Sequence, residues 1–176
     1  MFFKEEDEHI GEEMPLIEKA IDNAIDEMNN MRNAEGNELE KDIRKRIGII
    51  EEALVEIEKL KEEDLKSYFE KLKERAKQLV SDLAENEQRL ITELALLSER
   101  YDVTEECVRL RSHIKLFLQT LSSPDDAGRR LNFILQEMNR EANTINSKSV
   151  SSVISHAGIS IKEEIEKIRE QIQNIE

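Results

Sequence analysis

The chain has 176 residues, no tryptophan and only 4% aromatic residues. It also contains only two prolines and five glycines. Turn residues and the aromatic or β-branched runs that fill β-sheets are therefore scarce. This composition predicts an all-α protein built from few, long helices.

Cysteine is nearly absent as well, since Cys107 is the only one. A single cysteine excludes an intrachain disulfide and a multi-cysteine metal site. Its setting, ECVRL on an apolar stripe, predicts a buried core thiol rather than a nucleophile. No run approaches the roughly 18 apolar residues of a membrane span. The opening MFFKEEDEHIGEEM is acidic where a signal peptide would be basic and then apolar. We therefore expect no membrane association and a cytoplasmic location.

Charge is unevenly distributed. The formal net charge is −14, which argues against unspecific binding of nucleic acids. Residues 1–101 carry 16 basic and 28 acidic side chains, whereas residues 107–148 carry 7 basic and 4 acidic ones. The one locally basic segment therefore lies in the C-terminal part of the chain.

Apolar residues at spacings of three and four predict a series of amphipathic helices. The helices are expected to begin near Leu16, Leu65, Glu87, Thr104, Gly128 and Ile159. Pro15 is expected in the first turn of the first helix, and either Asp102 or Thr104 is expected to cap the fourth. The segments KEED (61–64) and SKSVSS (147–152) are expected to interrupt helices.

These helices are expected to pack as antiparallel hairpins in a bundle, with the long N-terminal helix forming an extended arm. The domain organisation follows from the same pattern. We expect a disordered acidic tail at 1–14, a long helical hairpin or arm region at 15–101 and a C-terminal helical domain at 102–176.

The segment QEMNREANTINSK (136–148) is unusual for a helix of this chain, because asparagine and threonine are mediocre helix formers. On a helical wheel two adjacent polar ridges emerge. One ridge consists of Glu137, Glu141, Thr144 and Lys148, and the other of Gln136, Arg140, Asn143 and Ser147. Carboxylates at i and i+4 can share a divalent cation such as Mg²⁺ or Mn²⁺. The alternative is a structural hydrogen-bonding surface between helices or subunits.

On the preceding helix, Glu106, Arg109 and His113 follow one another along one side. Imidazole side chains commonly act as general acids or bases, so His113 could act in proton transfer. An ordinary surface or core histidine is the alternative. His156 lies in a stretch with weak helix propensity, and the sequence gives it no role.

Four strings carry a resemblance to a known family. They are MRNAEGNELEKDI (31–43), RLITELALLSERYDVTEECVRLRSHI (89–114), GRRLNFILQEMNREANTINSK (128–148) and EEIEKIREQIQNIE (163–176). On these strings the chain resembles the middle and C-terminal portions of the YicC-like endoribonucleases, a bacterial family. The resemblance implies RNA cleavage and a homohexamer. The family's separate N-terminal domain, with its MTGFGR-type opening, has no counterpart here, and Asn132 and Asn146 stand where the family often has Asp and Gly.

The resemblance implies that the site includes residues from the fourth and fifth helices. They are Arg109, Arg111, His113, Glu137, Asn139, Arg140, Glu141, Asn143 and Lys148. We hypothesise that Glu137 and Glu141 hold Mn²⁺ or Mg²⁺ and that His113 acts as general acid or base. The basic and amide residues would bind RNA and its phosphates.

Single-stranded RNA is the expected substrate, because the major groove of A-form RNA is hard to enter. Few aromatic side chains are expected to be available for base stacking, since most of them fall on or near apolar stripes. They are Tyr68, Phe69, Tyr101, Phe117 and Phe133. The alternative function is a non-catalytic helical oligomerisation or adaptor module, in which the polar face is a subunit interface.

Overall fold

The computed structural model describes residues 7–79, 87–123 and 127–173. Within these ranges the secondary structure is α-helical and contains no strand, which confirms the predicted all-α class. The helices are α1 (Asp7–Leu79), α2 (Glu87–Tyr101), α3 (Thr104–Leu121), α4 (Gly128–Lys148) and α5 (Ser152–Gln173). The long N-terminal helix is therefore confirmed.

The chain divides into two compact units, one ending at Asp42 and one beginning at Ile43. In the first unit, the large apolar side chains of α1 from Met14 to Met31 are exposed. Leu16 is 69% exposed and Met31 is 71% exposed. An amphipathic helix normally buries such a stripe, so this segment has apolar surface available for another helix.

In the second unit, α4 packs against both α3 and α5, and four helices share one core. Its fully buried side chains come from α1, α3, α4 and α5 and include Ile47, Leu54, Leu110, Phe117, Ile134, Met138 and Ile161. Close packing of these branched and aromatic groups removes most of their apolar surface from water, which is the main source of stability.

Cross-helix hydrogen bonds give the relative direction of α1 and α3 in this bundle. Arg44 Nη2 donates to Ser122 Oγ at 2.9 Å, and Lys61 Nζ donates to Thr104 Oγ1 at 2.7 Å. The early part of α1 in this unit therefore lies beside the end of α3, and the later part lies beside its start. The two helices are antiparallel, as are α3 and α4, which are joined by a short connection. The predicted antiparallel hairpins are confirmed.

Two predicted helix boundaries in the first half of the chain are wrong. The KEED segment (61–64) does not interrupt α1, because its lysine and glutamates are good helix formers and no glycine or proline accompanies them. Pro15 lies inside α1 rather than in its first turn, since the helix begins at Asp7, within the predicted acidic tail 1–14. The part of the predicted second helix beyond Leu79 lies outside the described residues, and the domain boundaries stay predictions.

The start of α5 was also predicted wrongly. The helix begins at Ser152 rather than near Ile159, so only residues 149–151 separate it from α4. Ile154 and Ala157 are buried in this first part of α5. The burial of these side chains outweighs the weak helix propensity of the serines.

At Gly158, α5 approaches the Asn146 side chain of α4 closely. A Cβ placed there would come within 2.1 Å of Asn146 Oδ1 and 2.8 Å of Asn146 Cγ. The glycine thus leaves room for the Asn146 side chain at the helix crossing. Asn146 Oδ1 is buried there and has no hydrogen-bond partner among the described residues.

Two further predictions concern the single cysteine and the lack of a membrane-spanning helix. Cys107 is 1% exposed, and burial raises the pKa of its thiol to about 11, which confirms a core thiol rather than a nucleophile. Within the described residues, each helix is too short or too polar to cross a bilayer. The cytoplasmic location stays a prediction.

Candidate active site

A row of charged side chains follows the contact between α3 and α4. These residues, called here the polar seam, are Glu106, Arg109 and His113 on α3, and Glu137, Glu141 and Lys148 on α4. On each helix the successive seam residues are three, four or seven positions apart and therefore share one side. That side lies next to the buried stripe of the same helix. Two antiparallel helices therefore bring both rows to the same boundary.

At one end of the seam, the ammonium group of Lys148 lies 2.7 Å from Glu106 Oε1. Lys148 also donates a hydrogen bond to the carbonyl oxygen of Asp102 at 3.2 Å. Glu106 is only 6% exposed, and its Oε2 has no hydrogen-bond partner among the described residues. The lysine therefore compensates a carboxylate that burial would otherwise penalise strongly.

The N-cap residue of α3 is Val103, which makes no side-chain capping hydrogen bond, so neither predicted residue occupies that position; Asp102, one residue earlier, nevertheless binds the first turn. Asp102 Oδ1 accepts a hydrogen bond from the backbone N–H of Thr104 at 2.8 Å. Hydrogen bonds from Thr104 hold the pKa of Asp102 below its usual value, although partial burial opposes them. The aspartate thus satisfies one of the free N–H groups at the helix N-terminus.

In the middle of the seam, Arg109 Nη1 lies 3.9 Å from Oε1 of Glu141. Glu141 is 5% exposed, whereas Arg109 reaches solvent and donates a hydrogen bond to the exposed Glu105 at 2.5 Å. Arg109 therefore connects a buried carboxylate on α4 with the protein surface. A guanidinium group in this position can hold two anionic groups at once.

Beyond this pair the seam contains His113 and Glu137. His113 lies four residues after Arg109 on α3, and Glu137 lies four residues before Glu141 on α4. Because the helices are antiparallel and Arg109 contacts Glu141, His113 lies level with Glu137. Glu137 is partly exposed, and its Oε2 lies 3.9 Å from Nη1 of Arg140. The register thus gathers an imidazole, two carboxylates and two guanidinium groups along little more than one helical turn.

The solvent side of α4, called here the outer face, adjoins the seam. Its exposed residues are Arg129, Arg130, Phe133, Gln136, Arg140, Asn143 and Ser147. Three of these residues are arginines and none is acidic. A shallow depression on this face is lined by Gln136, Asn139, Arg140, Asn143, Thr144 and Ser147. The two predicted polar ridges thus correspond to the seam side and the outer face of α4.

Two of the nine candidate site residues, Arg111 and Lys148, form short contacts with oxygen atoms of the protein itself, as Arg109 does. Arg111 faces α1, where it forms a bidentate pair with Glu58 at 2.5 and 3.3 Å. The hydrogen bond to Glu58 raises the pKa of Arg111. Lys148 belongs to the seam, but its ammonium group is committed to Glu106 and Asp102. Both basic groups therefore bind the protein's own oxygen atoms.

Sequence reasoning gave no role to Glu106 as a buried partner of Lys148 and missed the exposure of Phe133. Phe133 is 62% exposed and is thus an exception among the aromatic residues, which were expected mostly to fall on or near apolar stripes. A helical wheel indicates this exposure, because position 133 points away from the buried stripe through Leu131, Ile134 and Leu135. His156 is exposed on α5.

Glu137 and Glu141 are the two carboxylates to which the sequence-based hypothesis assigns a cation, and this assignment stays a prediction. Within the described residues, no three His, Cys, Asp or Glu side chains come together closely enough to hold a metal ion. Two carboxylates nevertheless suit a partly hydrated Mg²⁺ or Mn²⁺, since such ions often take one or two carboxylates and further oxygens from substrate phosphates. This pair of carboxylates therefore fits an ion that binds together with a phosphate-bearing substrate.

These features define an all-helical bundle protein with a charged polar site between two antiparallel helices, as bundle proteins often build their sites from facing helices. The family model of the C-terminal domain of YicC-like endoribonucleases matches residues 57–176. The chain belongs to the YicC-like endoribonuclease family.

Two curated relatives carry the name "Probable endoribonuclease YicC". The protein of Clostridioides difficile (strain 630) is 41% identical over 174 residues, which cover 98% of this chain and 59% of that protein. The protein of Haemophilus influenzae (strain ATCC 51907 / DSM 11121 / KW20 / Rd) is 36% identical over 159 residues, which cover 89% of this chain and 54% of that protein. The chain thus spans somewhat more than half the length of these relatives.

Proposed function

We propose that the protein is a metal-dependent endoribonuclease that hydrolyses RNA phosphodiester bonds, with the polar seam as its active site. The observation that carries the proposal is the contact between Arg109 and the buried Glu141 beside an outer face that has arginines and no exposed acid. The names of the two relatives support the same reaction class.

In this proposal Glu137 and Glu141 hold the Mn²⁺ or Mg²⁺ ion. Such an ion supplies Lewis-acid stabilisation of phosphate charge and lowers the pKa of bound water. Glu137 is accessible and pairs only at 3.9 Å with Arg140, so its carboxylate can reorient when a cation and a phosphate arrive together. Glu141 is held in place by burial, and its contact with Arg109 orients that guanidinium group.

In the proposed cleavage, His113 acts as the general acid or base. It lies level with Glu137 in the helix register and is partly exposed, so solvent can exchange protons with its ring. Imidazole is suited to this task near neutral pH. Arg109 and Arg140 position the phosphate and stabilise the negative charge that develops on it.

The amides of the outer face contact the RNA strand next to the cleaved bond. Asn143 Nδ2 donates to Asn139 Oδ1 at 3.4 Å, so the two amides form one continuous row of donors and acceptors. Sugar hydroxyls, including the 2′-OH that distinguishes RNA from DNA, are suitable partners for such groups. Arg111 and Lys148 stabilise the scaffold through Glu58 and Glu106.

The test is cleavage of a short labelled RNA by the purified protein, with Mn²⁺ or with EDTA. We expect cutting with Mn²⁺ that falls by roughly 100-fold or more in Glu137→Gln, the size typical of a lost catalytic group. The matched control is Glu163→Gln, which changes an exposed glutamate on α5. Equal activity of Glu137→Gln and the wild type would contradict the metal assignment. Absence of cutting under both conditions would favour the non-catalytic adaptor function.

We also propose a homo-oligomer, with the hexamer as the expected state. Six of the exposed apolar residues of the first unit follow alternating spacings of three and four. They are Met14, Ile17, Ile21, Ala24, Met28 and Met31. This is the a/d pattern of a coiled coil, which requires a partner helix to cover it. Light scattering of Ile17→Ser with Ile21→Ser should give a lower mass than the wild type, whereas an unchanged mass would contradict a role of this stripe in assembly.

A further inference from the structure

We propose that Phe133 is a stacking platform for an unpaired base of the bound RNA. This inference rests on the proposed function, because it assigns the mode of substrate recognition at the same site. Its ligand class is a single-stranded segment of RNA that lies along the outer face of α4.

The exposure of Phe133 is unusual among the aromatic side chains of this protein. Phe133 is 62% exposed, whereas Phe117 is fully buried and Tyr68, Phe69 and Tyr101 are half-buried. Tyr68 also has edge-to-face ring contacts with Phe69 and Tyr101. Among the aromatic residues whose side chains are described, only Phe133 presents its ring largely to solvent.

The neighbours of Phe133 on α4 are suited to phosphate groups. Arg129 and Arg130 precede it by one helical turn, and Arg140 follows by two turns. All three arginines are exposed. An aromatic ring between basic side chains is the arrangement by which proteins bind single strands, since bases stack on the ring while the phosphates meet the cations.

The ring also lies close to the groups assigned to catalysis. Phe133 and Glu137 are separated by four residues, so their Cβ atoms are about 5–6 Å apart on one side of α4. In the antiparallel register, Phe133 lies one turn beyond the level of His113 and Glu137. A base stacked on Phe133 would therefore hold the adjoining phosphodiester within reach of the polar seam.

The composition of the outer face favours RNA over a protein partner. Phe133 is the only large apolar side chain among the exposed residues of α4, and the rest are arginines, amides and a serine. The core of a protein interface is usually more apolar and depleted in charge. Bases already paired in a duplex cannot leave the stack without cost, so the platform selects unpaired segments.

The absence of tryptophan makes this inference directly measurable. Phe133→Trp introduces the only tryptophan of the chain, so its fluorescence reports on this position alone. We expect the tryptophan fluorescence to be quenched when single-stranded RNA is added. EDTA is present so that binding is measured without metal-dependent cleavage. An abasic strand of equal length, with the same phosphates, should leave the emission nearly unchanged. Equal quenching by the abasic strand would overturn the inference.

A second variant tests the energetic contribution. Phe133→Leu keeps an apolar group but removes the ring, and we expect binding of single-stranded RNA to weaken on the order of 10-fold. The control is Val108→Ala, which changes an apolar residue that is 63% exposed on α3. An unchanged dissociation constant together with a changed molecular mass would instead assign Phe133 to a contact between copies of the chain.

These results separate the inference from the proposed function. Base-dependent quenching without cleavage would support the platform and contradict the catalytic assignment. Cleavage by Phe133→Leu with unchanged affinity would leave the endoribonuclease proposal intact and overturn the platform.

Discussion

The Nζ atom of Lys148, the last residue of α4, lies 2.7 Å from Oε1 of Glu106 in the first turn of α3. This ion pair joins the end of one helix to the beginning of its antiparallel neighbour. A lysine at a helix C-terminus and a glutamate at a helix N-terminus are both favoured by the helix dipoles. The contact therefore combines pair attraction with two favourable helix-end interactions.

Replacing Lys148 should destabilise the bundle without changing its fold. In Lys148→Met, Glu106 loses its charged partner although it is only 6% exposed. We expect the free energy of unfolding to fall by about 1–3 kcal/mol, the usual cost of leaving a buried polar group unpaired. Urea unfolding followed by circular dichroism measures this change. The control is Lys41→Met, whose pair with Glu38 is highly exposed and should contribute about 1 kcal/mol or less.

A methyl group at Gly158 should also destabilise the protein. The Gly158→Ala side chain would meet Asn146 at distances well below van der Waals contact. Overpacking of this kind typically costs about 1–3 kcal/mol, which offsets the roughly 1 kcal/mol that alanine gains over glycine in a helix. The double variant Gly158→Ala with Asn146→Ala should lack the clash and show the stabilisation that alanine brings to a helix.

Gly48→Ala is the matched control for that change. No atom lies within 4 Å of a Cβ placed at Gly48, so the same substitution should stabilise α1 by up to about 1 kcal/mol. Thermal unfolding of these three variants and the wild type measures both the expected stabilisation and the expected destabilisation in one experiment. Stabilisation of the protein by Gly158→Ala alone would show that Asn146 moves aside without cost.

Glu164 should make the stability of the bundle depend on acid pH. Hydrogen bonds from Lys167 at 2.6 Å and Arg46 at 3.0 Å lower the pKa of Glu164, with Lys167 the larger cause and burial opposing both. A lowered pKa in the folded state means that the folded protein binds this proton less tightly than the unfolded chain does. The contribution of Glu164 is therefore present above its ordinary pKa of 4.5 and is lost as the pH falls through the lower folded value.

The measurement compares the wild type with Glu164→Gln by urea unfolding at pH 7, 5 and 3. We expect the difference in unfolding free energy to be largest at pH 7 and to shrink towards pH 3. Glu163→Gln, at the adjacent exposed position, should show little difference at any pH. A gap between wild type and Glu164→Gln that widens on acidification would contradict this sign.

Arg140 and Arg111 should behave differently in RNA binding. Arg140 is exposed on the outer face, so Arg140→Ala should remove about one phosphate contact. The slope of log K against log salt should then become less steep by about 0.7 for a single strand. Arg111→Ala should leave the slope unchanged and lower the stability instead, because Arg111 binds Glu58. Equal slopes for Arg140→Ala and the wild type would remove Arg140 from the RNA contact.

Periodicity in the sequence was sufficient to predict the all-α class and most of the helices. Each helix of the second unit has an apolar stripe at intervals of three and four residues, and that pattern is local. The KEED segment does not interrupt α1 as predicted, because lysine and glutamate favour helices. The early start of α5 depended on burial against α4, which is tertiary information.

For the candidate site, spacing correctly indicated which residues share a side of each helix. It could not show which partner each charged group contacts, since that depends on the register between helices. Arg109 and Arg111 are two residues apart in the sequence, yet one contacts Glu141 on α4 and the other Glu58 on α1. Residues two apart on a helix point in nearly opposite directions, so their neighbours differ.

The arginines of the outer face belong to a chain whose formal net charge is −14. Screening in 0.15 M salt limits electrostatic attraction to about 8 Å, so these arginines attract a strand only once it is almost in contact. A long polyanion that also lay across the acidic parts of the surface would be repelled there. The charge distribution therefore favours a short footprint of a few nucleotides and works against coating of nucleic acids by many copies of the protein.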